Sequence, residues 1–258
     1  MNSLVVLPDE IREGDRAVLV GSRARYAVDT HGVREGQSLK VAIMDGMRGE
    51  GRVLSVSPAE VLIALSLSEP RRDPIPISLI VGVSRPQTIK KVIQSAVMVG
   101  ARSIHFVKSE RGEKSYLQSH ALEREKIEEE TIKAMEQVWD SHRPAIVVHR
   151  ALSYFMREKF PAIVEDARQA VNGGEVLKLV AHPGGSLLTC GDSQRFVNSS
   201  AVVAIGPERG WSDDEVHMLS ENDFQKIGLG ERVLRVELAL VFLLGQLAML
   251  RGSGGRGL

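Results

Sequence analysis

The sequence predicts an α/β protein in which a small β-barrel precedes a parallel sheet with helices on both faces. Two patterns and a cluster of prolines predict it. Up to about residue 69 the chain carries short β-like runs separated by turn residues, with no helical period. From Ile77 onward apolar runs alternate with amphipathic segments, as in a parallel sheet whose crossovers are helices. Between the two, Pro70, Pro74 and Pro76 crowd around Arg71-Arg72-Asp73, where helix and central strand are both disfavoured.

Taken in order, strands are expected at 4–7, 16–20, 38–44 and 51–64 of a first domain at 1–70, followed by a linker at 71–76. In a second domain at 77–251, the runs at 77–83, 103–107, 145–148, 177–181, 201–205 and 224–227 read as strands, and 88–99, 121–138 and 152–160 as helices. Val202-Val203-Ala204-Ile205 is β-branched or small throughout, which suits a central strand covered on both faces. Gly206-Pro207 ends it. Ser212 and Glu215 have the spacing of a capping box, so a short helix is expected to start at Ser212 with its free N–H groups facing the loop. The run at 238–250 is apolar almost all round and must be buried. The glycine-rich tail at 252–258 is expected to be disordered. Its Gly252-x-Gly254-x-x-Gly257 pattern matches a dinucleotide fingerprint but lacks both the preceding strand and the following helix.

Composition excludes several classes of function. Thirty-three basic residues balance 33 acidic ones, so no global field draws the chain to nucleic acid, and any RNA contact must come from a local patch. Cys190 is the only cysteine and is read as structural, which excludes a disulfide framework and a cysteine-based zinc site and agrees with a reducing compartment. None of the seven histidines pairs with another or with Cys190 at metal-ligand spacing, so no metal is expected. Residues 1–8 lack a basic n-region, and 238–250 falls well short of the ~20 residues a membrane span needs. A soluble, cytoplasmic protein with no membrane segment is expected.

Two glycine turns flank the short helix: Gly206-Pro207-Glu208-Arg209-Gly210-Trp211-Ser212 before it, and Leu229-Gly230-Glu231-Arg232-Val233-Leu234-Arg235-Val236-Glu237 after the next strand. Charged residues inside both turns point to a polar ligand. Ile205-Gly206-Pro207-Glu208-x-Gly210 followed by Leu229-Gly230-x-Arg232-Val233-Leu234-Arg235-x-Glu237 resembles the signature of the RsmE family. These are SPOUT-class methyltransferases that modify N3 of a uridine in 16S ribosomal RNA. Ser109-Glu110-Arg111 and Glu113-Lys114-Ser115-Tyr116 are similar to the family's loop of Ser, Arg, Lys and Ser. Glu136-Gln137 resembles its Glu-Gln pair, although Val138-Trp139-Asp140 stands where the family usually has small and basic residues.

The resemblance implies a SPOUT-type trefoil-knotted sheet, a PUA-like first domain, and S-adenosylmethionine held by His182, Pro183, Gly184, Ile205, Gly206, Pro207, Glu208, Gly210, Leu229, Gly230, Val233 and Leu234. It also implies small-subunit ribosomal RNA as partner, and a homodimer burying Leu240, Leu243, Leu244 and Leu247 against its copy, although an ordinary core helix explains these equally well. Arg232 and Arg235, then Arg111, are the candidates for stabilising charge on the uracil oxygens. Glu237 or Glu208 is placed to take the N3 proton, and each suits a helix cap or an arginine pair as well. RNA contacts are expected from Arg23, Arg25, Arg34, Arg111, Lys114 and Ser115. In the barrel, the arginine the family carries before its Gly-Asp turn falls on Gly32. That departure keeps open a target on another ribosomal or transfer RNA nucleotide, and a catalytically silent RNA-binding relative is the third reading.

Overall fold

The computed structural model describes residues 3–252. It divides into two compact units: the chain up to Asp73 together with Thr131–Arg143, and Pro74–Glu130 together with the chain from Pro144 on. From residue 253 on, the glycine-rich tail and most of its fingerprint match lie outside the described residues.

The first unit holds β1 (Leu4–Val6), β2 (Ile11–Arg12), β3 (Arg16–Val20), α1 (Gly21–His31), β4 (Ser38–Ile43), β5 (Arg48–Val56) and β6 (Glu60–Glu69). Its strands form one curled, barrel-like sheet in the order β1-β4-β5-β6-β3-β2, around a core that includes Leu4, Leu19, Val41 and Ile63. Two expectations are corrected. The run at 51–64 is not one strand but parts of β5 and β6, which form a hairpin. Ser57 closes it, its Oγ accepting from the N–H groups of Ala59 (3.3 Å) and Glu60 (3.0 Å). The all-strand reading of residues 1–69 also missed α1, which starts without a side-chain cap and buries only Ala24 and Ala27. Small residues three apart make no strong apolar period, and Gly32 ends the helix in the left-handed conformation (φ 63°).

The second unit holds β7 (Ile75–Gly82), α2 (Pro86–Val99), β8 (Ala101–Val107), the start of α3 (Arg124–Val138), β9 (Ala145–His149), α4 (Leu152–Glu158), α5 (Phe160–Gln169), β10 (Val176–Leu187), α6 (Ser193–Phe196), β11 (Ser200–Ile205), α7 (Asp213–Glu221), β12 (Gln225–Gly228) and α8 (Val236–Gly252). All six strands are parallel, in the order β12-β10-β11-β7-β8-β9. Every residue of β11 is buried, as its β-branched run predicts for a strand covered on both faces. The helix expected at 152–160 is instead two: the backbone breaks at Lys159 and restarts as α5 with Pro161 in its first turn, where a missing N–H costs nothing. Leu152, Phe155, Phe160, Val202, Trp211, Leu219 and Phe224 share one core cluster, so the residue after the first glycine turn is an anchor: Trp211 is 3% exposed. Truncating a buried aromatic of this size costs about 3–5 kcal/mol.

The apolar helix α8 packs on α2 and β11 and sorts its leucines into two faces. Leu240, Leu243, Leu244 and Leu247 are fully buried in their own unit, which rules them out as a surface for a second copy. The exposed stripe is Leu238, Val241, Phe242 and Met249. Cys190, read from sequence as structural, lies on the surface.

Candidate active site

β12, β10 and β11 are neighbours, and their C-terminal ends carry the three glycine-containing segments side by side. The C-terminal edge of a parallel sheet is where such folds bind ligands, because the loops there diverge and leave a crevice. β10 makes its loop by a break in register: Ala181 and Ser186 both pair with Ile227, so residues 182–185 bulge out of the strand. Gly185 closes the base of that bulge, since a Cβ there would lie 2.5 Å from the Ile227 carbonyl carbon. Gly184, Gly210 and Gly230 have φ of +79°, +70° and +104°, and a Cβ on any of them would meet nothing within 4 Å. All three loops therefore present left-handed backbone to open space, a cradle that side chains would partly fill.

The loop after β11 is held from two sides. Gly82, at the end of β7, lets Pro207 approach so closely that a Cβ on the glycine would sit 2.4 Å from Pro207 Cδ. Glu208 Oε1 accepts from the Arg85 N–H (3.0 Å) and the Thr88 hydroxyl (3.2 Å), which caps α2. Of the uses open to Glu208, its hydrogen bonds make the cap. The Tyr116 hydroxyl, with Glu208 and Glu113 close by, raises the pKa of the Arg85 guanidinium above its ordinary value. The capping box is formed as its spacing predicts: Ser212 Oγ accepts from Glu215 N–H (3.1 Å), and Glu215 Oε2 accepts from Ser212 N–H (2.8 Å).

Arg232 and Arg235 lie exposed in the turn between β12 and α8, where Val233 is 89% exposed and Leu234 is partly covered. Glu237 lies in the first turn of α8 and accepts from Lys91 Nζ at 3.2 Å. Burial pushes its carboxyl up, but a backbone hydrogen bond, the Lys91 ammonium and Arg235 outweigh this and hold it below the usual carboxylate range. Lys91 was missed from sequence because nothing local links α2 to the far end of the chain. Arg111 stands 3.7 Å from Asp213, with Lys114 and Ser115 exposed nearby in sequence. His182 is partly covered, its Nδ1 2.6 Å from the Pro183 carbonyl oxygen. Among the described residues, no group of three or more His, Cys, Asp or Glu could hold a metal ion, and no helix is long and apolar enough to cross a membrane.

The first unit separates the arginines expected on RNA. Arg23 is committed internally: its guanidinium donates to Glu10 Oε1 (3.0 Å) and to the Val5 carbonyl oxygen. Arg25 and Arg34 are exposed. Glu136, of the Glu-Gln pair, is 1% exposed and accepts from Val5 N–H (3.1 Å) and the Tyr26 hydroxyl (2.9 Å), with His31 Nε2 at 3.1 Å. It is a buried hub of this unit.

A family model described as "RNA methyltransferase domain" matches residues 71–248. Ribosomal RNA small subunit methyltransferase E of Treponema pallidum is 28% identical over 206 residues, covering 79% of this chain and 74% of that protein. The protein of the same name from Bacillus subtilis is 25% identical over 253 residues, 95% of each. A solved ribosomal RNA small subunit methyltransferase E from Neisseria gonorrhoeae, bound to S-adenosyl methionine, superposes with a TM-score of 0.73 at 24% identity, covering 97% of this chain and 98% of that one, a likeness that shows the fold. With three glycine loops at adjacent strand ends and a domain match over most of its length, the chain belongs to the RNA methyltransferase family, in its RsmE group.

Proposed function

We propose that this chain methylates N3 of a uridine in 16S ribosomal RNA, using S-adenosylmethionine. The observation that carries the reading is the alignment of the loops at 182–185, 206–210 and 229–235 on neighbouring strand ends, each with a left-handed glycine turned to open space. Backbone groups of 182–184, 205–210 and 229–234 would hold the cofactor, and the names of the relatives agree with small-subunit ribosomal RNA as the substrate. When bound, S-adenosylmethionine supplies an electrophilic methyl on a sulfonium centre. The chain's part is alignment and charge. Arg232, Arg235 and Arg111 offer guanidinium groups to the negative charge that develops on the uracil oxygens. Glu237, ion-paired and held below the usual range, is a weak base, so the arginines favour N3 ionisation by stabilising the uracil anion, while the proton itself passes to Glu237 or to water.

Three further parts of the reading rest on the fold. We assign a trefoil knot to the segment that follows β12, a reading supported by β12 lying at the sheet edge beyond β10 while α8 packs on α2 and β11. The stripe of Leu238, Val241, Phe242 and Met249 is the surface we assign to a homodimer. The first unit is assigned to RNA binding through Arg25 and Arg34, in a cytoplasmic enzyme. A shifted target, another ribosomal or transfer RNA nucleotide, is favoured by one observation, the commitment of Arg23 to Glu10.

The test is calorimetric titration with S-adenosylmethionine, followed by methyl transfer to small ribosomal subunits that lack native methylation, with mapping of the product. Binding and transfer to a uracil N3, reduced about 10²-fold or more in Arg232→Ala with cofactor affinity retained, is expected. Transfer to a different nucleotide moves the target, and absence of cofactor binding overturns the enzyme reading.

A further inference from the structure

Glu215 does more than a capping box requires. The box uses one oxygen: Oε2 accepts from Ser212 N–H at 2.8 Å. The same carboxylate, 2% exposed, reaches a segment more than a hundred positions earlier in the chain. Oε2 also accepts from the Ser109 hydroxyl (2.8 Å), and Oε1 accepts from the Glu110 N–H (2.9 Å). Glu110 answers in the other direction, its Oε2 accepting from the Ser212 hydroxyl at 2.6 Å. The turn after β8 is thereby cross-linked to the start of α7. Ser109, 1% exposed, is the first residue of that turn, and Gly112 N–H donates to its carbonyl oxygen at 3.1 Å. Arg111 sits inside the turn, directly after the tethered Glu110 N–H.

We propose that Glu215 is a positioning residue for the reaction: it sets the Ser109–Gly112 turn, and so the Arg111 guanidinium, against the loop that follows β11. The proposal rests on the reading of Arg111 as a group that faces RNA. A helix cap alone needs no second oxygen aimed at the turn after β8, and no hydroxyl of a residue 1% exposed to meet the first. Replacement by glutamine is sharply defined by the donors. One backbone N–H points at each oxygen, so whichever way the amide lies, its NH2 group faces an N–H that cannot turn away.

A double-mutant cycle on the full chain tests this, with Glu215→Gln, Arg111→Ala and the pair. The readouts are kcat/KM for methyl transfer to undermethylated small subunits, and S-adenosylmethionine affinity by calorimetry. Expected is a loss of about 10²-fold in kcat/KM for Glu215→Gln, the scale of an ångström's misplacement, with cofactor affinity unchanged. In the Arg111→Ala background the same change should cost nothing more. Ser109→Ala removes one of the bonds without touching the cap, and its smaller loss should likewise vanish without Arg111. If Glu215→Gln does not fold, Ser109→Ala carries the cycle alone. Additive losses would overturn the proposal and leave Glu215 a structural residue. An Arg111→Ala variant of undiminished activity would instead bring down the reading of Arg111 itself, and the proposal with it.

Discussion

Alanine at position 82 tests whether the loop after β11 holds the cofactor, because it disturbs that loop from behind without replacing any of its residues. A Cβ built on Gly82 lies 2.4 Å from Pro207 Cδ and 2.5 Å from Pro207 N, and 3.1 Å from the Gly206 carbonyl carbon. Ordinary van der Waals contact begins near 3.4 Å, so the new methyl intrudes by about 1 Å. The obstacle is backbone and a proline ring, which no rotamer change can move. Over-packing of this kind costs about 1–3 kcal/mol, and the strain falls on the turn at 206–207. An ångström's displacement there should weaken S-adenosylmethionine binding at least tenfold and slow transfer by about 10²-fold. Urea unfolding measures the first effect, calorimetry and methyl transfer the other two. A Gly82→Ala protein destabilised as expected but with unchanged cofactor affinity and rate would refute the assignment of 206–210 to the cofactor. Unchanged stability would refute the close approach itself.

The buried pair His105 and His149, with Nδ1 of one 3.2 Å from Nε2 of the other, should make the second unit acid-sensitive. Burial and the facing His149 push His105 down to about 4, with Asp166 opposing, and burial and Lys159 lower His149. A lowered folded pKa means the unfolded chain takes up the proton first, so stability is intact above the ordinary value of 6.5 and falls as pH drops from there toward 4. His105 alone accounts for a loss on the order of 2 kcal/mol between about pH 7.5 and about pH 5. Urea titrations should show it in the wild type and a flatter profile in His105→Gln, and identical profiles would count against it. Phe242→Glu places a charge in the exposed stripe of α8, and sedimentation should then report single chains where the proposed assembly has the wild type sediment as a dimer. A wild type that is already monomeric would remove the dimer from the reading, while a variant that stays dimeric would move the interface off α8.

Whatever depends on near neighbours along the chain was legible in the sequence. The uniform run Val202-Val203-Ala204-Ile205 specified a strand buried on both faces, and Ser212 with Glu215 specified where α7 starts, because burial period and capping are local chemistry. The glycine turns were legible as turns, and their resemblance to a family named the candidate site residues. Segments whose stability comes from tertiary contacts were not legible. Helix α1 buries two alanines and has no cap signal, and α5 hides behind a proline that reads as an ending. The bulge at 182–185 exists only because β12 pairs twice with β10 through one residue, a fact of strand order. Tertiary structure also decided what each side chain is free to do. An α8 that is apolar all round does not say which leucines face inward, and α2 and β11 settled that by packing against one side. Glu10 took Arg23, α2 took Glu208 as its cap, and Lys91 took Glu237. Such pairings form between groups that the fold brings together from different parts of the chain, and no local pattern records which partner lies within reach.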